Sequence, residues 1–153
     1  VRGPYGVLLH SPKLAARVAN TGTYVRFESE MANGLKEVVI ITTAREIKSQ
    51  YEFTAHARLA REANVSDATI KAIADGTAPQ GLSGDEELLV RFTQQLLRDH
   101  KVSDANYNEV KDRFGVQGIV DVTGLIGHYL LVGQFLAVFD VELAPGIAPE
   151  LPL

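Results

Sequence analysis

The sequence contains no cysteine, and this absence removes several kinds of chemistry at once. Disulfide bonds, thiol nucleophiles and cysteine-ligated metal centres all need a cysteine sulfur, so none of them is available to this chain. An excess of basic residues is also missing, because 15 lysine and arginine residues face 19 acidic residues and the net charge is −4. Nucleic-acid-binding domains usually carry a basic surface, so we do not expect nucleic acid as a partner.

The composition is otherwise that of an ordinary globular domain. Hydrophobic residues make up 46% of the chain and charged residues 22%, which is typical of soluble proteins. A chain of 153 residues can bury a core without disulfide or metal staples, so we expect one domain over residues 1–153. No segment resembles a signal peptide, and a cytoplasmic location is the expectation.

The most apolar stretch covers residues 116–139, and its length approaches that of a membrane span. Asp121, His128 and Gln134 interrupt it, and no cationic flank follows. We therefore predict a buried central helix and no membrane.

The rest of the chain is predicted to be helical. After an irregular lead-in at residues 1–10, Ser11 and Pro12 are of the types favoured at a helix start. Residues 35–48 are rich in β-branched side chains, but their length and surroundings favour a buried helix over a strand. The predicted helices cover residues 12–31, 35–48, 49–64, 66–76, 83–100, 103–115 and 116–139, with a loop at 77–84 and an extended tail at 141–153.

These segments predict an all-α domain of six or seven helices. Two of the helices have apolar faces that one small subunit cannot bury alone, so we expect an oligomer. The apolar tail at residues 141–153 is expected to lie as a strap across its own subunit or a neighbour.

One pair of polar residues lies within an apolar pattern. Glu52 and His56 are four positions apart, so they share one face of a helix. Leu59 and Ala63 continue that face, which predicts that the pair points inward, and residues 54, 58 and 61 then lie on the far side. A buried polar group without a partner costs roughly 1–3 kcal/mol, so this pair needs each other, water or a ligand.

A second carboxyl group lies in apolar company on the preceding helix. Glu37 shares a stripe with Ile41 and Ala44, whereas Glu46 lies on the opposite side and is expected to be in solvent. Glu37, Glu52 and His56 are therefore candidates for one acid–base cluster.

Three stretches resemble one protein family. They are Leu35 to Arg45, then Ser49-x-x-Glu52-x-x-x-His56, then Ala60-x-x-Ala63-x-Val65-Ser66-x-x-x-Ile70. This pattern, over roughly residues 35–75, resembles the core of the carboxymuconolactone decarboxylase and AhpD-like superfamily. The resemblance implies an all-α fold, assembly as homotrimers or homohexamers, and pockets at or near subunit contacts.

The chain departs from the peroxidase branch of that family at two positions. The branch has an upstream Glu followed by Cys-x-x-Cys-x-x-x-His; Glu37 and His56 match the Glu and His, but Ser49 and Glu52 replace the cysteines. Thiol peroxidase activity is therefore excluded. The remaining acid–base groups resemble those of the decarboxylase branch, which works without thiols or a cofactor.

The resemblance implies a cofactor-free lyase acting on a small carboxylated lactone or oxo acid. Losing carbon dioxide leaves an enolate, which needs a hydrogen-bond donor at oxygen and a proton at carbon. We assign His56 as proton donor, Glu52 as an acid kept neutral by apolar surroundings, and Glu37 as the group that orients His56. The same groups would also serve an isomerase or an elimination enzyme, and a non-catalytic ligand-binding relative would keep only the fold.

Five other residues are candidates for contacts with the substrate, each with a structural alternative. They are Ser49 and Tyr51 beside the motif, Arg45 as a partner for a substrate carboxylate, and His128 and His10 near a pocket. A metal site built from Glu37, Glu52 and His56 ranks third, because no further ligand pair has a recognisable spacing. We therefore predict no metal and no cofactor.

Overall fold

The computed structural model describes residues 3–153, and this part of the chain is all-helical. A π-helical turn, Tyr24–Glu28, interrupts the series of α-helices between α2 and α3. The α-helices are α1 (Pro4–Leu8), α2 (Pro12–Thr23), α3 (Asn33–Glu46), α4 (Gln50–Glu62), α5 (Asp67–Asp75), α6 (Gly84–Asp99) and α7 (Asp104–Val138). The all-α prediction is confirmed.

The first fifth of the chain differs from its prediction in two ways. The lead-in at residues 1–10 contains the short helix α1, although its first two residues lie outside the described part. The helix predicted for residues 12–31 is also shorter, because it changes to the π-helical turn after Thr23. Asn33, which was expected to follow the end of that helix, instead begins α3.

Helix α3 is the centre of the fold. Val38 and Ile41 pack into one hydrophobic cluster with Phe53 of α4, whereas Val39 and Ile40 pack into a second cluster with helices α6 and α7. A helix that is apolar all round must be covered on every side. The β-branched run therefore forms a buried helix, as predicted.

Glu46, near the end of α3, corrects an expectation from the sequence. Its side chain is only 8% exposed, and it accepts two hydrogen bonds from the Arg98 guanidinium, at 2.8 and 2.6 Å. Glu46 therefore links α3 to α6 and is not in free solvent.

The ends of α4 and α5 follow local sequence signals. Asn64 adopts a left-handed conformation with φ of 65° just after α4, a conformation that asparagine tolerates well. The Ser66 hydroxyl accepts a hydrogen bond from the Thr69 backbone N–H and caps α5, and Gly76 ends that helix with φ of 74°. These boundaries hold α4, the helix of the acid–histidine pair, at a defined length.

Helix α7 is continuous except for a kink at Gly115, where φ is 73° and ψ is 176°. This kink lies where the sequence predicted the boundary between two helices. By length and composition α7 could cross a membrane, but 50% of its apolar window is buried inside the protein. Val122, Leu125 and Ile126 pack into the core, which is the behaviour of a central helix.

The C-terminal segment forms a strap on its own subunit. Gln50 donates a hydrogen bond to the Leu151 carbonyl at 2.6 Å and accepts one from the Leu151 N–H at 2.9 Å. The Thr54 hydroxyl oxygen accepts a hydrogen bond from the Glu150 N–H at 3.1 Å. Thr54 is therefore buried beneath the strap, although the helix pattern alone predicted that it would face away from the interior.

Candidate active site

The structure brings Glu37, Glu52 and His56 together between α3 and α4. Glu37 Oε2 lies 2.7 Å from Nδ1 of His56, and Glu52 Oε2 lies 3.4 Å from Nε2 of the same ring. The side chain of His56 is 7% exposed, that of Glu52 5% and that of Glu37 12%. An imidazole held between two carboxyl groups is therefore buried near the centre of the fold.

The local sequence explains this placement. Glu52 lies in the first turn of α4 and His56 one turn later, so both side chains point the same way. Glu37 reaches His56 because α3 and α4 pack closely against each other. Phe53 and Ala57 are fully buried beside the pair and fix the rotation of α4.

The two carboxyl groups favour the protonated form of the imidazole. Burial by itself lowers the pKa of His56, but hydrogen bonds and charges from Glu37 and Glu52 oppose it, and the pKa lies above the ordinary value. A protonated ring donates both of its N–H groups, whereas a neutral ring donates only one. The cluster can therefore hold a proton inside the protein and pass it to either side.

Tyr129 of α7 covers the imidazole from a third direction. Its ring meets that of His56 edge to face, with the centroids 4.9 Å apart, and burial raises its pKa. Tyr129 is therefore a neutral neighbour that keeps water from the ring. It was not among the candidate residues from the sequence, where its position next to His128 in an apolar run was the only clue.

A cavity of about 560 Å³ reaches the cluster through Glu37. Its lining includes Arg26, Phe27, Lys36, Ile40 and Leu59, but neither Glu52 nor His56. A ligand in this cavity would therefore contact Glu37 first, with His56 directly behind it.

The candidate substrate contacts lie at different distances from this cluster. His128 is buried, and its ring contacts Tyr129 edge to face with centroids 5.3 Å apart. Burial lowers the pKa of His128, and the positive charge of Arg26 adds to that effect. His128 therefore adjoins the site through Tyr129, whereas His10 lies exposed in the turn before α2.

The remaining three candidates lie at helix ends away from the cavity lining. Ser49 precedes α4 and its hydroxyl does not cap that helix. Tyr51 packs beside Leu8 and Val132 in a third hydrophobic cluster. Arg45 lies 3.8 Å from Glu46, and its guanidinium lies against Gly76. The structure thus does not bring Ser49, Tyr51 or Arg45 to the cavity that Glu37 lines.

Within residues 3–153 no group of three or more histidine or acidic side chains has an arrangement that could hold a metal ion. Both ring nitrogens of His56 already face carboxylate oxygens. The chemistry that this arrangement supports is proton transfer.

Comparison with known proteins places the chain in a family. The family model described as "Carboxymuconolactone decarboxylase family" matches residues 12–95, which is more than half of the chain. The chain belongs to the carboxymuconolactone decarboxylase family. A search of curated proteins finds no significant match. The matched range contains Glu37, Glu52 and His56, so the cluster lies in the family's own region of this member.

A solved structure confirms the fold of this carboxymuconolactone decarboxylase family member. It is a cysteine-to-alanine variant of the debrominase Bmp8 in complex with 2,3,4-tribromopyrrole. The TM-score is 0.76 with 11% sequence identity, over 90% of this chain and 74% of the other. At this level of identity the likeness concerns the fold alone.

Proposed function

We propose that this protein is a cofactor-free lyase that decarboxylates a small carboxylated lactone or oxo acid by acid–base catalysis in the cytoplasm. The observation that carries the proposal is the hydrogen bond of 2.7 Å between His56 and Glu37, because Glu37 also lines the cavity. Membership of a decarboxylase family supports the reaction type. The absence of cysteine directs the chemistry to proton transfer instead of thiol chemistry.

The cavity contacts Glu37 and not His56, so we rearrange the roles expected from the sequence. The carbon–carbon bond to the leaving carboxylate breaks, carbon dioxide departs, and the electron pair stays on the substrate as an enolate. The protonated ring of His56 passes its Nδ1 proton to the Glu37 carboxylate, and Glu37 delivers that proton to the enolate carbon. Glu52 favours the charged form of His56, and water in the cavity returns a proton to the ring through Glu37.

A carbon dioxide release assay tests this proposal on a panel of carboxylated lactones and oxo acids. Replacing a positioned acid or base lowers turnover by a factor of about 10²–10⁴. We expect that loss in Glu37→Gln and in His56→Ala. Glu109→Gln makes the same chemical change on the exposed side of α7, where Glu109 pairs with Arg91, and should keep wild-type turnover. Full activity of Glu37→Gln would disprove the assignment.

Product analysis separates the rival functions. An isomerase or elimination enzyme that uses the same groups would change the substrate's proton NMR spectrum without releasing carbon dioxide. A non-catalytic relative would bind a ligand saturably and form no product. Both alternative functions are compatible with the observed cluster, so the presence and identity of a product distinguish them.

We also propose that the chain assembles as a homotrimer or homohexamer. The support is an exposed apolar stripe on α7, consisting of Val116, Val120, Leu131 and Val138, which are between 40% and 75% exposed. Exposed apolar patches of this kind commonly mark interfaces. Light scattering of the purified protein should give three or six times the chain mass of 16.6 kDa, and Val120→Lys should lower it.

A further inference from the structure

Arg26 differs from most of the other arginines in its lack of partners. Among residues 3–153 its guanidinium has no acidic partner, and its Nε is buried without a hydrogen bond. The Nε of Arg91 also lacks a hydrogen bond, but carboxylates lie beside the guanidinium groups of Arg45, Arg58, Arg61, Arg91, Arg98 and Arg113. A buried donor without an acceptor is unfavourable by about 1–3 kcal/mol. This guanidinium therefore lacks a carboxylate partner among residues 3–153, and its residue lines the cavity.

The backbone of Arg26 is held firmly at the edge of the Glu37 cavity. Arg26 lies in the π-helical turn, and such turns often occur at functional sites. The buried ammonium group of Lys36 donates hydrogen bonds to the carbonyls of Arg26 and Ser29, at 3.0 and 2.9 Å. The Lys36 ammonium group is thereby occupied with backbone carbonyls, so among residues 3–153 Arg26 is the cation of the cavity lining that remains available.

The side chain of Arg26 is also partly fixed. Its guanidinium carbon lies 4.7 Å from the centroid of the Phe27 ring, a cation–π distance. Burial lowers the pKa of His128, and the positive charge of Arg26 lowers it further. Burial raises the pKa of Tyr129, and the charge of Arg26 partly offsets that rise. The cation therefore acts on the side of the molecule where Tyr129 covers His56.

The charged side chains that line the cavity make Arg26 the position at which an anion would bind. Glu37 and Glu62 are the acidic residues of the lining, and Lys36 is occupied by backbone carbonyls. A guanidinium offers two parallel N–H groups to a carboxylate, which neither Glu37 nor Glu62 can do. A cation bound to the leaving carboxylate would stabilise the starting state more than the transition state and slow the reaction. The group on Arg26 must therefore lie away from the reacting carbon.

We propose that Arg26 is the specificity-determining residue of this site, and that it binds a second carboxylate of the substrate, one that is not lost, while the reacting carbon with its leaving carboxylate lies at Glu37. This inference rests on the proposed function for the identity of the reacting carbon. It assigns to Arg26 the carboxylate contact that the sequence suggested for Arg45.

Binding of a matched pair of probes tests the proposal without any catalysis. The probes are 5-oxotetrahydrofuran-2-carboxylate and its neutral methyl ester, measured by isothermal titration calorimetry. Wild type should bind the acid more tightly than the ester. Arg26→Met should weaken binding of the acid by a factor of ten or more and leave the ester unchanged. Arg26→Lys, which keeps the charge but loses the planar pair of donors, should fall between them.

Arg113→Met is the control variant, because Arg113 pairs with Asp85 outside this cavity. It should bind both probes as wild type does. The proposal is overturned if Arg26→Met binds the acid like wild type, if it loses acid and ester equally, or if wild type shows no preference for the acid.

Chemical labelling of the wild-type protein gives a second measurement that needs no variant to fold. Phenylglyoxal modifies arginine, and peptide mass spectrometry reports the rate at each position. The acid probe should slow modification of Arg26 and leave that of Arg113 unchanged. Equal rates at Arg26 with and without the acid would overturn the proposal.

The two proposals fail in different ways. Acid binding that depends on Arg26, without carbon dioxide release from any substrate, would remove the decarboxylase and keep the role of Arg26. Carbon dioxide release that is indifferent to Arg26→Met, in kcat and in KM, would keep the decarboxylase and remove the role of Arg26.

Discussion

Glu37 Oε2 lies 2.7 Å from Nδ1 of His56, although the two residues are 19 positions apart and belong to different helices. Glu52 approaches the other ring nitrogen at 3.4 Å. A buried imidazole between two carboxyl groups has its charge state set by them. The first two predictions below concern this arrangement.

Replacing Glu37 should change the proton affinity of His56. Glu37 contributes the strongest of the interactions that raise the pKa of His56, while burial lowers it. In Glu37→Gln the pKa of His56 should therefore fall, because burial remains and one carboxylate is lost. An NMR titration of the histidine ring signals measures this directly. Glu109→Gln is the matched control, and an unchanged pKa in Glu37→Gln would contradict the electrostatic account.

Stability should depend on pH through His56 with a definite sign. An unfolded histidine has a pKa of about 6.5, and that of folded His56 is higher. The folded state then binds the proton more tightly, so this stabilisation is fully present below about pH 6.5 and is lost as the pH rises through the raised pKa.

Urea unfolding of wild type and His56→Gln at several pH values measures this effect. The advantage of wild type in free energy of unfolding should shrink as the pH rises above neutrality. His10→Gln serves as the control, because His10 is exposed. A wild-type advantage that stays constant or grows with pH would show that the charge of His56 does not stabilise the fold.

Gly22 should be intolerant of a side chain, because α2 packs directly on His128. A Cβ at Gly22 would lie 2.8 Å from Nε2 of His128 and 3.3 Å from the Tyr5 hydroxyl. Overpacking of this kind typically costs about 1–3 kcal/mol, and it would outweigh the gain in helix propensity in Gly22→Ala.

Gly127 on α7 provides the matched control for that substitution. A Cβ there would meet nothing within 4 Å, so Gly127→Ala should raise the free energy of unfolding by about 0.5–1 kcal/mol. Thermal melting compares the two variants. If Gly22→Ala and Gly127→Ala stabilised the protein equally, the His128 side chain would be able to move away from the new methyl group without loss of stability.

Leu151 should anchor the strap on α4. Its side chain is 5% exposed and belongs to the cluster that contains Phe53 and Ala74. Leu151→Ala should lower the free energy of unfolding by about 2–5 kcal/mol, the usual cost of emptying a buried leucine site. Leu153→Ala, at a position that is 77% exposed, should have little effect. Denaturant unfolding measures both, and similar values would show that the strap does not stabilise the protein.

Much of the secondary structure was predictable because its causes are local. Helix α5 begins at the cap formed by Ser66 and ends at the left-handed residue Gly76. Gly115 lies at the kink in α7. The spacing of Glu52 and His56 predicted their common inward face, which the structure shows. Each of these features depends on residues within about one turn of each other.

The errors arose where residues distant in sequence meet. Thr54 is buried because the strap returns to cover it, and Glu46 is shielded because Arg98 of α6 reaches it. The π-helical turn at Tyr24–Glu28 and the guanidinium of Arg26, which has no carboxylate partner among residues 3–153, have no counterpart in any short pattern. A helical wheel groups the residues of one helix face, but it does not show which other part of the protein packs against that face.

The sequence by itself determined that this is an all-helical, cysteine-free family member with an acid–histidine pair on one inward helix face. Only the tertiary structure decided that Glu37, and not His56, meets the cavity, and that Arg26 lies beside it in place of Arg45. The physical reason is the distance along the chain over which each determinant acts. Helix periodicity and capping act over one or two turns, whereas the position of a cavity depends on how whole helices pack against one another.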